Sequence, residues 1–211
     1  GPSIKLMQTV AGAIREDLMQ FLLRLSRGMD AISDWVGRIL IWALFATVIV
    51  SAANAIVRKV FSVGSNAWLE LQWYLFAAVF LLGAGYTFLH NAHVRIDFIS
   101  GRLSARTRNI IDIVGIVAFL APLAWILLQL SWPLFVNAWQ SGEMSQNAGG
   151  LVRWPVLALV PLGMVLLLGQ AASELIKRVA FLQGLIPDPL AHPETPQSQA
   201  IVGEPTEAAP K

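Results

Sequence analysis

The chain has 211 residues, 56% of them hydrophobic and only 13% charged, with a formal net charge of +2 and a pI near 9.3. A folded soluble domain does not confine its few charges between long apolar runs, yet the stretches 39 to 57, 71 to 94, 113 to 142 and 154 to 173 carry none. The absence of cysteine excludes disulfides, thiolate metal sites and cysteine-based redox chemistry, and with them the membrane thiol oxidases.

Residues 1 to 34 read as an N-terminal amphipathic helix. Gly1-Pro2 has the look of a scar left by tag cleavage. Beyond it Ile4, Met7, Ala11, Ile14, Leu18, Leu22, Leu25, Met29 and Ile32 recur at steps of three and four, while Lys5, Gln8, Arg15, Gln20, Arg24 and Arg27 fall on other faces. Arg15, Glu16 and Asp17 interrupt the segment before an apolar core long enough for a signal peptide forms. Such a helix either lies along the cytoplasmic membrane surface or docks on a partner subunit.

Residues 35 to 180 form a four-helix transmembrane domain. Each uncharged run is long enough to cross ~30 Å of hydrocarbon, which takes about 20 residues at ~1.5 Å rise. In the first span Ala43, Thr47, Ser51, Asn54 and Arg58 make a stripe of small and polar groups. In the third, Arg108, Asp112, Gly115, Ala118, Pro122, Trp125 and Gln129 do the same, and both stripes are expected to face protein. Pro122, Pro133 and Pro161 should bend or end their helices, since each lacks a backbone donor. Trp35, Trp68, Trp73, Trp139 and Trp154 fall near span ends, where interface aromatics collect. After the last span, 181 to 211 is rich in Pro, Glu, Gln, Thr and Ala and reads as a disordered tail.

Charge placement orients the bundle. With the amino terminus cytoplasmic, twelve of the fifteen Lys and Arg fall inside and only Arg58, Lys59 and Arg153 outside, as the basic bias of cytoplasmic loops requires. Both termini are then cytoplasmic, and the positive balance reflects this bias and gives no separate reason to invoke nucleic acid.

Candidate chemistry is sparse. Glu70 sits one turn into the second helix beside Gln72 and Trp73; the positive end of the helix dipole, with Arg58 or Lys59, accounts for it better than an ion relay does. Asp112 has Arg108 one turn before it as a ready partner. His90 and His93 share a helical face but lack further ligands for a metal, and no histidine lies mid-span to hold haem. No nucleophile signature or glycine-rich phosphate loop is present, so the chain does not read as an enzyme and calls for no cofactor of its own. In the outer loops Asn66, Glu143 and Arg153 are the polar candidates for docking a partner.

The most distinctive sequence follows the second span: Gly83-Ala84-Gly85-Tyr86-Thr87, then Asn91-Ala92-His93-Val94-Arg95-Ile96-Asp97. With Glu70-Leu71-Gln72-Trp73, Glu143-Met144-Ser145, Gly149-Gly150-Leu151 and Trp154-Pro155, these residues resemble the small membrane subunit of tripartite ATP-independent periplasmic (TRAP) transporters over about 35 to 180. The resemblance implies an all-α subunit in a bacterial inner membrane, paired with a large membrane subunit that holds the substrate and sodium sites. It also implies a periplasmic solute-binding protein as partner and, usually, an organic acid as solute. Asn91, His93, Arg95 and Asp97 would then serve assembly, not catalysis. Two other classes, a self-sufficient small dimeric exporter and a haem-bearing anchor of a redox complex, would each need an ionisable or ligating residue deep in the bundle, where none stands.

Overall fold

The computed structural model describes residues 2–62, 64–90 and 103–190, with side chains from Glu16 onward. Four helices dominate it: α1 Pro2–Phe61, α2 Asn66–Leu89, α3 Ala105–Ser141 and α4 Trp154–Leu182. All four are long and apolar enough to cross a membrane, in α1 over Glu16–Phe61. The four uncharged runs fall on them in order, except that the third runs one residue past Ser141 and the second extends past Leu89 into 91 to 94, outside the described residues.

α4 is the central element, packing against each of the others, while α1 and α2 also pack together. α2 and α4 run parallel and α1 antiparallel to them. The α2–α4 crossing is close at Gly163, where an added Cβ would lie 2.7 Å from the carbonyl oxygen of Leu81. At that crossing only the absence of a side chain lets the backbones approach, the usual role of small residues where lipid gives helices no hydrophobic drive to associate.

The amphipathic segment and the first span are one helix with no break at residue 34. Its 60 residues, at ~1.5 Å each, extend roughly 90 Å, about three times the hydrocarbon thickness. Of the stripe expected on the first span, Thr47 is buried and Ala43, Ser51 and Asn54 are half-buried, while Arg58 is exposed. Lower on the helix the inward face is Met19, Ser26, Ser33, Gly37 and Leu40. The apolar stripe runs elsewhere: Leu18, Leu25 and Ile32 are exposed, joined by Phe21. This segment therefore presents its small and polar groups to its own bundle and its large apolar ones outward.

The stripe expected on α3 coincides only at its start with the face packed inside this chain. Arg108, Asp112 and Gly115 are half-buried as expected, but Ala118, Pro122, Trp125 and Gln129 are exposed. The buried face instead passes through Asn109, Ile116, Ala124, Ser131 and Ala138. The cause is a π-helical turn over Ile116–Leu120, closed by a bond from the Ala121 amide to the Ile116 carbonyl. One extra residue in that turn rotates everything after it, so a stripe counted at regular steps drifts off the packed face. The turn sits just before Pro122, which lacks the donor needed to continue the regular ladder. Pro133 and Pro161 lie inside helices that continue past them.

α4 runs to Leu182, and residues 183–190, placed in the tail by composition, fold back over the start of α3. Asn109 donates to Asp188 at 2.8 Å, Arg108 reaches the same carboxylate at 3.3 Å, and Leu190 is buried. The remainder of the expected tail, 191 to 211, lies outside the described residues.

Candidate functional site: polar clamps at the two ends of the bundle

Two polar clusters close the bundle, one at each end. At the end where α2 begins, Asn66, Glu70 and Tyr74 are spaced by four and share one helical face. Each takes hold of the loop between α3 and α4. Asn66 donates to the Ala148 carbonyl at 2.9 Å, and the Tyr74 hydroxyl donates to the Val152 carbonyl at 3.1 Å. Between them the Glu70 carboxylate accepts from the Ser145 hydroxyl, the Asn147 amide at 2.8 Å and the Leu151 backbone N–H at 2.6 Å.

The loop is shaped to be held. Met144 and Val152 pair as an isolated antiparallel bridge, with the Ser145 amide bonded to the Leu151 carbonyl at 2.9 Å and the Arg153 amide to the Glu143 carbonyl at 2.9 Å. Gly150 lies directly over Glu70: an added Cβ would stand 2.8 Å from its Oε1 and 2.6 Å from the Cβ of Ser145. Glu143 and Arg153 form an ion pair across the loop neck, 44% and 40% exposed. Trp139 and Trp154 meet edge to face at 4.5 Å where α3 leaves and α4 enters.

These contacts revise the surroundings expected of Glu70. Its carboxylate is satisfied by loop donors and not by Arg58 or Lys59. Asn66, Glu143 and Arg153, expected as polar docking candidates, are partly committed to the loop itself; Asn66 and Glu143 remain exposed and Arg153 is half-buried. Gln72 is half-buried beside Thr47 in a shallow groove flanked by Trp73 and Phe76, and Trp73 is 73% exposed.

The opposite cluster is deeper, and its main residues escaped the sequence reading. Gln170, Ser173, Glu174, Lys177 and Arg178 share one face of α4, and Gln170, Glu174 and Arg178 are almost wholly buried. Arg178 pairs with Glu174 one turn before it and with Asp112 of α3 at 3.1 Å. Lys177 bridges Glu174 and Asp30 of α1, the latter at 3.0 Å. Gln170 donates to Asp30 at 2.9 Å and accepts from Ser33 at 2.7 Å. Ser173 lies 2.7 Å from both Asp30 and Ser26, so that a donor chain Ser26 to Ser173 to Asp30 links α4 to α1. One carboxylate from each of α1, α3 and α4 thus converges on two cations of α4. The signal was in the sequence: Gln170, Ser173, Glu174, Lys177 and Arg178 recur at steps of three, one, three and one, a polar stripe that continues the fourth span.

Asp112 is therefore bound to the far side of the bundle through Arg178, while Arg108, expected as its partner, extends to Asp188. At the same end Asp34 pairs with Arg38 and lies 3.3 Å from Nε2 of His90, whose ring packs on Tyr86 at 4.3 Å. Asn91, His93, Arg95 and Asp97 lie outside the described residues. Among the described residues no group of three or more His, Cys, Asp or Glu is arranged to hold a metal ion.

Both clusters tie elements together: their hydroxyls, amides and cations are bonded to carboxylates of a neighbouring helix or loop. What they do chemically is neutralise buried charge and fix helix ends. No curated protein and no solved structure gives a match to the chain. A family model does, that of the DctQ component of tripartite ATP-independent periplasmic transporters, over residues 47–181. That span takes in α2 and α3 from end to end, all but the last residue of α4, both sides of the loop clamp and the α4 polar stripe. The chain accordingly belongs to the DctQ family, the small membrane component of the TRAP transporters.

Proposed function

We propose that this chain is the static scaffold of a sodium-driven TRAP importer, with both termini cytoplasmic, and that the large membrane subunit it accompanies carries the solute and sodium sites. The observation that carries this reading is the division of labour on its surface. The polar clusters at both ends are spent on ties within the chain, whereas Trp42, Trp73, Phe80 and Phe119, each more than 70% exposed, leave a broad aromatic surface for lipid and a partner subunit. Such an arrangement holds a shape and offers a face; it provides no polar route for a solute across four uncharged spans. Organic acids are the solute class the family suggests.

The clamped loop 142–153 is the natural place for a periplasmic binding protein to touch this subunit, with Asn66, Glu143 and Arg153 at its surface. Rim charges of this kind steer encounter more than they add affinity. Asn91, His93, Arg95 and Asp97, in the opposite loop, would serve assembly with the large subunit, and Arg95→Ala should lower the yield of the complex without changing solute preference.

Reconstitution tests the reading. Proteoliposomes containing this chain alone should not take up solute, whereas adding the large subunit, the binding protein and a sodium gradient should produce uptake. Robust uptake by the isolated chain would overturn it.

A further inference from the structure

Between α1 and α4, at the end of the bundle that holds the Glu174 cluster, lies an open groove of about 450 Å³. Its walls are almost entirely apolar, formed by Leu25, Met29 and Ile32 of α1 and by Gly169, Ala172 and Ile176 of α4. One cation stands at its outer end, Arg24, which among the described residues makes no ion pair or hydrogen bond. Arg27 is exposed three residues on, and among the described residues its one side-chain bond is a 3.4 Å contact from Nε to the Leu23 carbonyl in its own helix. The nearby Lys177 and Arg178, by contrast, are consumed by Asp30, Glu174 and Asp112. Arg24 thus brings unpaired positive charge to the groove itself, with Arg27 three residues further along the same helix.

Gly28 lines the same groove, and its position is not explained by packing within the chain: an added Cβ would meet nothing within 4 Å. A glycine inside a helix is less stable than alanine by ~1 kcal/mol, and here the space it leaves opens outward. We propose that the groove binds one anionic phospholipid, its acyl chain laid over Gly28 and Ala172 and against Met29, and its phosphate paired with Arg24 and Arg27. The arrangement is polarised as a lipid is, apolar toward the membrane and cationic toward the headgroups. Basic sites between membrane helices on the cytoplasmic side recognise acidic headgroups for this reason. A zwitterionic lipid would fill the same space and offer the same phosphate, but its own ammonium would offset much of the gain from Arg24. The site is independent of the transport reading, since it uses only this chain's own residues.

The test uses the full-length chain, purified, delipidated and then offered phosphatidylglycerol or phosphatidylcholine bearing the same acyl chains, with bound lipid counted by native mass spectrometry. Phosphatidylglycerol should be retained preferentially, on the order of fivefold for each arginine engaged. Arg24→Gln should lower that preference about fivefold, weakening phosphatidylglycerol binding more than phosphatidylcholine binding, and Arg24→Lys should keep most of it. Gly28→Trp, which fills the groove without touching the core, should reduce binding of both lipids. Equal retention of the two lipids by the native chain, or a preference that survives both Arg24→Gln and Gly28→Trp, would overturn the proposal. Because the chain has no cysteine, Gly28→Cys gives a unique attachment point for a photocrosslinker in the assembled complex. A lipid adduct supports the assignment; a crosslink to the large subunit, or to residues 191–211 of this chain, assigns the groove to protein and refutes it.

Discussion

Removing the guanidinium of Arg178 should be among the most destabilising single changes this bundle can suffer. Arg178 is fully buried and Glu174 is 2% exposed, so Arg178→Met leaves a carboxylate in the interior with one cation fewer. Breaking a buried pair from one side costs about 3–5 kcal/mol. Here the lower end applies, because Lys177 and Gln170 still reach Glu174 and because Asp112, 25% exposed, can turn to water. A loss of about 3 kcal/mol in a chain of this size lowers the midpoint of thermal unfolding by roughly 6–12 °C. The eight tryptophans make intrinsic fluorescence in detergent micelles a suitable readout. Arg153→Gln is the internal control: it breaks a pair whose members are 40% and 44% exposed, worth ~0–1 kcal/mol. The double variant Arg178→Met, Glu174→Gln should recover at least half of the single-variant loss, since removing both members of a buried pair leaves no orphan charge between them. The reasoning fails if Arg178→Met costs no more than Arg153→Gln, or if the double variant is as unstable as the sum of its parts.

Glu70→Ala removes three hydrogen bonds from the loop 145–151, and opening of that loop should ease by about 2–3 kcal/mol, the worth of bonds to a charged acceptor. Hydrogen exchange at the Leu151 amide should then quicken on the order of 10²-fold, with the α4 interior unchanged; unchanged exchange at Leu151 would show that the loop holds its shape without Glu70. Gly150→Ala should loosen the same loop by pushing Glu70 and Ser145 apart, seen as faster protease cleavage between 142 and 153. Gly163→Ala should separate α2 from α4 and lower the unfolding midpoint by roughly 4–8 °C for a cost of about 2 kcal/mol, because its new methyl meets backbone and not a side chain that can swing away. Charge reversal at Glu143 or Arg153 should slow uptake by the assembled transporter at limiting binding protein and recover as its concentration rises; uptake unchanged across that titration would move docking wholly onto the large subunit.

The amino-acid sequence alone determined the four spans, because hydrocarbon thickness sets a minimum run of apolar residues that few other structures need. It also exposed the α1 stripe through Thr47 and Asn54, since an undistorted helix keeps regular spacing on one face. That logic broke on α3 after Ile116, where a π-helical turn inserted a residue into the count and moved the packed face to Ala124 and Ser131. The partners of charged residues were the other part decided only in three dimensions. Nearest neighbours in the chain suggested Arg58 for Glu70 and Arg108 for Asp112, but the structure supplied Ser145, Asn147 and Leu151 for the first and Arg178 for the second. A carboxylate takes whichever donors the fold brings within about 3 Å, and these came from 66 to 81 residues away in the chain. Periodicity records which residues share a helix face; which face of which helix lies opposite is a property of the assembled bundle.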